Sequence, residues 1–96
     1  MFNTGLGYSG VEACRQTFAV AEQLGLRALM GSTVEMSIGT AARLQVAASV
    51  TNLDLGAYMA GPLVYDEDVA VDRVRYEEGH LVLPSGPGIG VELDHE

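Results

Sequence analysis

A carboxylate and two hydroxyls sit together in the small-residue run Gly31-Ser32-Thr33-Val34-Glu35-Met36-Ser37, directly after a short apolar stretch that ends at Met30. Two readings of Glu35 stay open there. It follows an expected strand, so it is placed to act on a substrate or to orient a neighbour; it is also the acidic partner in a local Ser32-x-x-Glu35 capping turn. A second chemical pattern is Gly5-Leu6-Gly7-Tyr8-Ser9-Gly10, which matches G-x-G-x-x-G and opens a helix, as a dinucleotide pyrophosphate site requires. Against that use, only four residues precede Gly5, and Gly31 and Ser32 stand where the ribose-binding acid is expected. His80 and His95 have no second ligand at metal spacing and read as solvated side chains. Three adjacent acids on a loop, Asp66-Glu67-Asp68, rarely supply the six or more oxygens that calcium prefers, and the run reads as a solvated acidic surface.

The elements that must position these residues follow from periodicity. Ser9 and Glu12 form a capping-box pair, and Val11, Cys14, Phe18 and Ala21 repeat at helical spacing up to a stop at Gly25. Leu26 to Met30 has the length and composition of a buried parallel strand. After the Glu35 loop an alanine-rich helix runs from about Ile38 to Ser49, where Ala41, Ala42, Ala47 and Ala48 suit close packing on a sheet. Asn52 breaks that helix, and Leu53 to Leu55 reads as a further strand closed by Gly56. Beyond Gly61-Pro62 the pattern changes to a β-hairpin: Val69 to Tyr76, a Glu77-Glu78-Gly79-His80 turn, then Leu81 to Leu83. A last short run covers Ile89 to Leu93.

Composition narrows the classes. The 96 residues make one domain at most, and 48% apolar with 19% charged is a globular balance. Residues 1–48 carry three acids and three arginines, so the whole net charge of -8 belongs to residues 49–96, and the chain has no lysine. Without a basic patch, nucleic acid and anionic membrane are excluded as partners. A single cysteine on an apolar helical stripe fits a reducing, cytoplasmic setting. No run reaches the length of a membrane span.

Taken in order, the glycine-rich loop, helix, strand, Gly31-to-Gly39 loop, alanine-rich helix, Gly61-Pro62-Leu63 step and closing Pro84-Ser85-Gly86-Pro87-Gly88-Ile89-Gly90 segment resemble the last part of the mandelate racemase and muconate lactonizing enzyme family, within the enolase superfamily. The resemblance implies an α/β fold: the C-terminal portion of a (β/α)8 TIM barrel, from the end of strand six through strand eight, followed by a β-hairpin tail. Residues 1–62 would be the barrel segment, with Met1 to Thr4, Leu26 to Met30 and Leu53 to Leu55 as strands six, seven and eight. Residues 63–96 would pack back on a separate capping domain. Barrel enzymes carry their chemistry on loops at the C-terminal ends of strands. The resemblance therefore implies a catalytic role for Glu35 and substrate contacts from Thr4, Ser32, Thr33 and Tyr58.

It further implies a parent racemase, epimerase, cycloisomerase or dehydratase that removes the proton next to a substrate carboxylate. The magnesium ion of such a parent would be held by acids on strands three to five, so that this chain binds no metal alone and is inactive alone. Two positions depart from the family pattern: the usual strand-six lysine falls on Thr4, and the strand-eight acid falls on Tyr58. Open barrel edges would make the chain self-associate. The alternative is a stand-alone module that binds a dinucleotide through Gly5, Gly7 and Gly10, or a protein partner through its sheet edges.

Overall fold

The computed structural model describes residues 2–6 and 9–96; Met1, Gly7 and Tyr8, which enter the strand-six and glycine-motif readings, lie outside the described residues. Strand β1 (Phe2–Thr4), helix α1 (Gly10–Gln23) and strand β2 (Ala28–Met30) form a βαβ unit. β1 and β2 are parallel, with Phe2 opposite Ala28 and Thr4 opposite Met30. Helix α2 (Ser37–Ser49) follows, then a single turn α3 (Gly61–Val64) and the short hairpin strands β3 (Tyr76–Glu77) and β4 (His80–Leu81).

Three members of the stripe expected on α1, Cys14, Phe18 and Ala21, face inward, while Val11 in the first turn is exposed. Phe18 meets Phe2 of β1 edge to face, with ring centroids 6.2 Å apart. The helix stops as its sequence requires. Gly25 adopts φ 65°, and the Leu26 and Gly25 amides donate to the carbonyls of Ala21 and Glu22, which closes a Schellman turn. The capping box at the other end does not form. Ser9 makes no side-chain cap, because Glu12 is taken instead by Arg15 and Gln16, one turn further along.

The third parallel segment also lies later than expected. Asp54 and Leu55 form a turn, and the chain pairs with β2 through a parallel bridge between Met30 and Ala57. The Leu55 amide donates to Ala28 O, Met30 to Gly56 O, and Tyr58 to Met30 O. β2 is therefore central, flanked by β1 and by the segment around Ala57. The core is continuous across these pieces and the tail: Cys14, Phe18, Ala28, Met30, Ala41, Leu44, Val46, Met59 and Val74 pack as one cluster.

Beyond α3, which spans the Gly61-Pro62 step, the hairpin is shorter than its pattern, with two residues per strand. The last run is reduced to one antiparallel bridge between Leu93 and Ala70. Two polar ties hold this tail on α2. The Gln45 amide donates to Pro84 O and Ile89 O, each at 3.1 Å. Asp68 accepts from the Ser37 hydroxyl at 2.7 Å and from the Ser37 amide at 3.0 Å, and Ser37 Oγ in turn accepts from the Val74 amide at 3.0 Å. Asp68 thus leaves the solvated acidic surface expected for residues 66–68 and caps the α2 N-terminus, where a negative charge is stabilised by the free amides.

Candidate functional site at the strand ends

The loop from Gly31 to Met36 is organised around the Glu35 carboxylate. Ser32 Oγ donates to Oε2 at 2.8 Å, the Thr33 amide donates to Oε1 and Oε2 at 3.1 and 3.2 Å, and the Thr33 hydroxyl donates to Oε1. Ser32 Oγ also accepts from the Val34 amide at 2.9 Å. Val34 sits at φ 62°, a left-handed conformation that a β-branched residue adopts only when its surroundings impose it. Those surroundings are tight. The Glu35 carbonyl accepts from Thr40 Oγ1 at 3.1 Å, the Val34 carbonyl accepts from the Tyr65 hydroxyl at 3.0 Å, and Gly61 leans on the Glu35 backbone so closely that a Cβ there would collide with it.

Beneath the loop lies Arg43, which α2 delivers from its buried face with 1% of its side chain exposed. Its guanidinium pairs with Glu35 Oε1, donates to Gly31 O and reaches Thr33 Oγ1 at 3.4 Å. Partial burial of Glu35 would by itself raise its pKa. The hydrogen bonds from the Thr33 and Ser32 hydroxyls, together with backbone amides, outweigh that and hold the carboxyl down at about 2. Glu35 is thus a carboxylate whose lone pairs are already engaged within its own loop, although Ser32 and Glu35 do not make the reciprocal backbone contacts of a capping box, and α2 begins after Met36.

Thr4 and Gly5 at the end of β1, Gly31, Ser32 and Thr33 of the loop, and Arg43 line a small cavity of about 60 Å³. Three of the sequence-derived site residues, Thr4, Ser32 and Thr33, therefore converge, with Glu35 directly behind two of them. Tyr58 does not line this cavity. Its amide extends the β2 pairing, and the residue is 67% exposed. A wider groove of about 770 Å³ separates the hairpin from the tail, and none of the candidate residues lines it.

Arg43 and the site role of Gly5 were not evident from the sequence. The available signal was a lone charge at position 43 inside the apolar run Ala41 to Leu44, a pattern that marks a buried cation in need of a partner. Gly5 is buried, and a Cβ on it would strike the Arg43 guanidinium, which accounts for the first glycine of the G-x-G-x-x-G motif without a nucleotide.

Among the described residues no three His, Cys, Asp or Glu side chains lie close enough to hold a metal ion, and no helix is long and apolar enough to cross a membrane.

Comparison with known proteins gives consistent matches. The family model described as "Enolase C-terminal domain-like" matches residues 2–96. A chloromuconate cycloisomerase of Cupriavidus pinatubonensis is 41% identical over 85 residues, and muconate cycloisomerase 1 of Rhodococcus opacus is 35% identical over 85 residues; each match takes in 88% of this chain and 23% of the relative. The crystal structure of 2-chloromuconate cycloisomerase from Rhodococcus opacus superposes with a TM-score of 0.85 at 33% identity, covering 88% of this chain and 24% of that one. The chain thus spans about a quarter of the length of the relatives it matches.

Proposed function

The chain belongs to the enolase C-terminal domain-like family, as the C-terminal part of a mandelate racemase and muconate lactonizing enzyme protein, and on that premise we propose that it forms one wall of the active site of an isomerase acting on a small carboxylate. In this reading β1, β2 and the Ala57 segment are barrel strands six, seven and eight. Their C-terminal ends carry Thr4, the Ser32–Glu35 loop and Tyr58 toward one substrate. The hairpin and tail face a capping domain. The observation that carries the proposal is the convergence of Thr4, Ser32 and Thr33 on one cavity at the ends of two parallel strands.

The chain's own residues bind and orient rather than move the proton. Thr4 stands where the family places a lysine, and an unactivated hydroxyl is no base near neutral pH. Glu35, held at about 2 and fully engaged, is a poor proton acceptor at pH 7 and acts as a positioning residue for the two hydroxyls in front of it. Tyr58 offers an exposed aromatic face in place of the family's acid. In the parent, magnesium would stabilise the charge that develops on the substrate carboxylate, from acids outside this chain.

A chimera tests this reading: the chain replaces the matching segment of the Cupriavidus chloromuconate cycloisomerase, and muconate binding is followed by calorimetry. Thr4→Val, which keeps the β-branched shape and removes the hydroxyl, should weaken binding roughly tenfold. Unchanged affinity in both Thr4→Val and Ser32→Ala would remove the cavity from the substrate site.

A further inference from the structure

Arg43 is the most deeply buried charge in the chain, and it contacts three separate points of one loop: the Gly31 carbonyl, the Thr33 hydroxyl and the Glu35 carboxylate. That is more than neutralisation of one acid requires. A guanidinium is a rigid fork, and one that grips both ends of a five-residue loop fixes the path between them. The path is itself unfavourable, since Val34 holds a left-handed φ of 62°. Thr40, Tyr65 and Gly61 brace the backbone at Val34 and Glu35, and Arg43 ties the Gly31 end of the loop to its Glu35 end.

The space for the guanidinium is equally specific. Gly5, at the end of β1, lacks the side chain that would overlap Arg43, so β1 and α2 meet through a glycine facing an arginine. The match carries a cost. Arg43 Nε is buried with no partner, an expense a purely structural core position would avoid with an apolar residue.

We infer that Arg43 is a second positioning residue of the site, behind Glu35, locking the Gly31–Glu35 loop so that Ser32 and Thr33 stand beside Thr4, and that Gly5 is the obligatory counterpart of that lock. The inference rests on the cavity being the substrate site only for its functional meaning; the lock itself is a property of this chain and is measurable without substrate.

The experiment is hydrogen–deuterium exchange by mass spectrometry on the whole chain, comparing the peptide over residues 31–36 with the peptides over α1 and over residues 69–71, which the Ala70–Leu93 bridge holds. Arg43→Met should speed exchange of the loop peptide at least tenfold and leave the two reference peptides unchanged. Gly5→Ala, which removes no charge and no hydrogen-bonding group, should produce the same local loss by displacing the guanidinium. In the Arg43→Met background Gly5→Ala should then have no further effect. If Arg43→Met is too unstable to compare, Gly5→Ala with Arg43→Lys carries the test, because lysine lacks the fork and should not restore protection. Loop exchange unchanged in Arg43→Met and Gly5→Ala overturns the lock, and so does an equal rise in all three peptides. A loosened loop in a chimera that still binds muconate normally would instead retain the lock and reject the substrate reading.

Discussion

Glu35 carries the chemistry that is most accessible to titration. Its carboxyl lies at about 2 against an ordinary glutamate value of 4.5, so its contribution to stability is complete above about pH 4.5 and disappears as the pH falls toward 2. Acid unfolding followed by circular dichroism should therefore show stability declining across that interval. Glu35→Gln, which cannot accept as many hydrogen bonds, should lose roughly 1–3 kcal/mol at pH 7 and converge with the parent near pH 2. A constant difference at every pH would contradict the engaged carboxylate. Asp68 behaves in the same direction, its pKa lowered because the Ser37 hydroxyl and the Ser37 and Ala70 amides outweigh partial burial. Asp68→Asn should cost about 1 kcal/mol in thermal melting at neutral pH, the usual worth of a helix cap. At this scale the sequence was half legible. The Ser32–Glu35 contact was within reach of local spacing because both partners lie within one turn, but it forms between the two side chains and not as a helix cap. The roles of Arg43 and Asp68 depend on partners brought in by folding, eight and thirty-one residues away, which no local spacing reports.

Among the elements, the ones closed by a local backbone requirement could be read directly. α1 ends where Gly25 permits a left-handed residue, and β2 follows at once because Ala28 to Met30 is apolar and central to the sheet. Gly25→Ala should lower stability by about 1 kcal/mol for conformational reasons alone, since a Cβ there meets nothing within 4 Å, and differential scanning calorimetry would register the change. Elements set by tertiary pairing were harder to place. Leu53 and Leu55 look like a strand, but Asn52 donates from its side chain to the Phe18 carbonyl at 3.1 Å, and the Asp54-Leu55 turn lets pairing with β2 begin only at the Leu55 amide, with the bridge at Ala57. The hairpin shrank for a related reason: Ala70 and Val74 turn into the core and the chain between them leaves the ladder, so alternation in the sequence overstated the paired length.

For the molecule as a whole, the described residues form three parallel pieces with β2 in the middle, helices α1 and α2, and a tail tied back by Gln45 and Asp68. Much of the apolar surface stays open. Val11 and Val20 on α1, and Leu63 and Val64 on α3, are 50% or more exposed, and among the described residues β1 pairs with β2 along one edge alone. Apolar surface and unpaired strand edges of this kind drive association. On the proposed reading these surfaces pack against the remaining strands of a barrel, so the isolated chain in sedimentation velocity should associate with rising concentration in the micromolar range. A sharp monomer peak at every concentration, together with a cooperative thermal transition, would overturn that reading and mark the 96 residues as a self-sufficient domain.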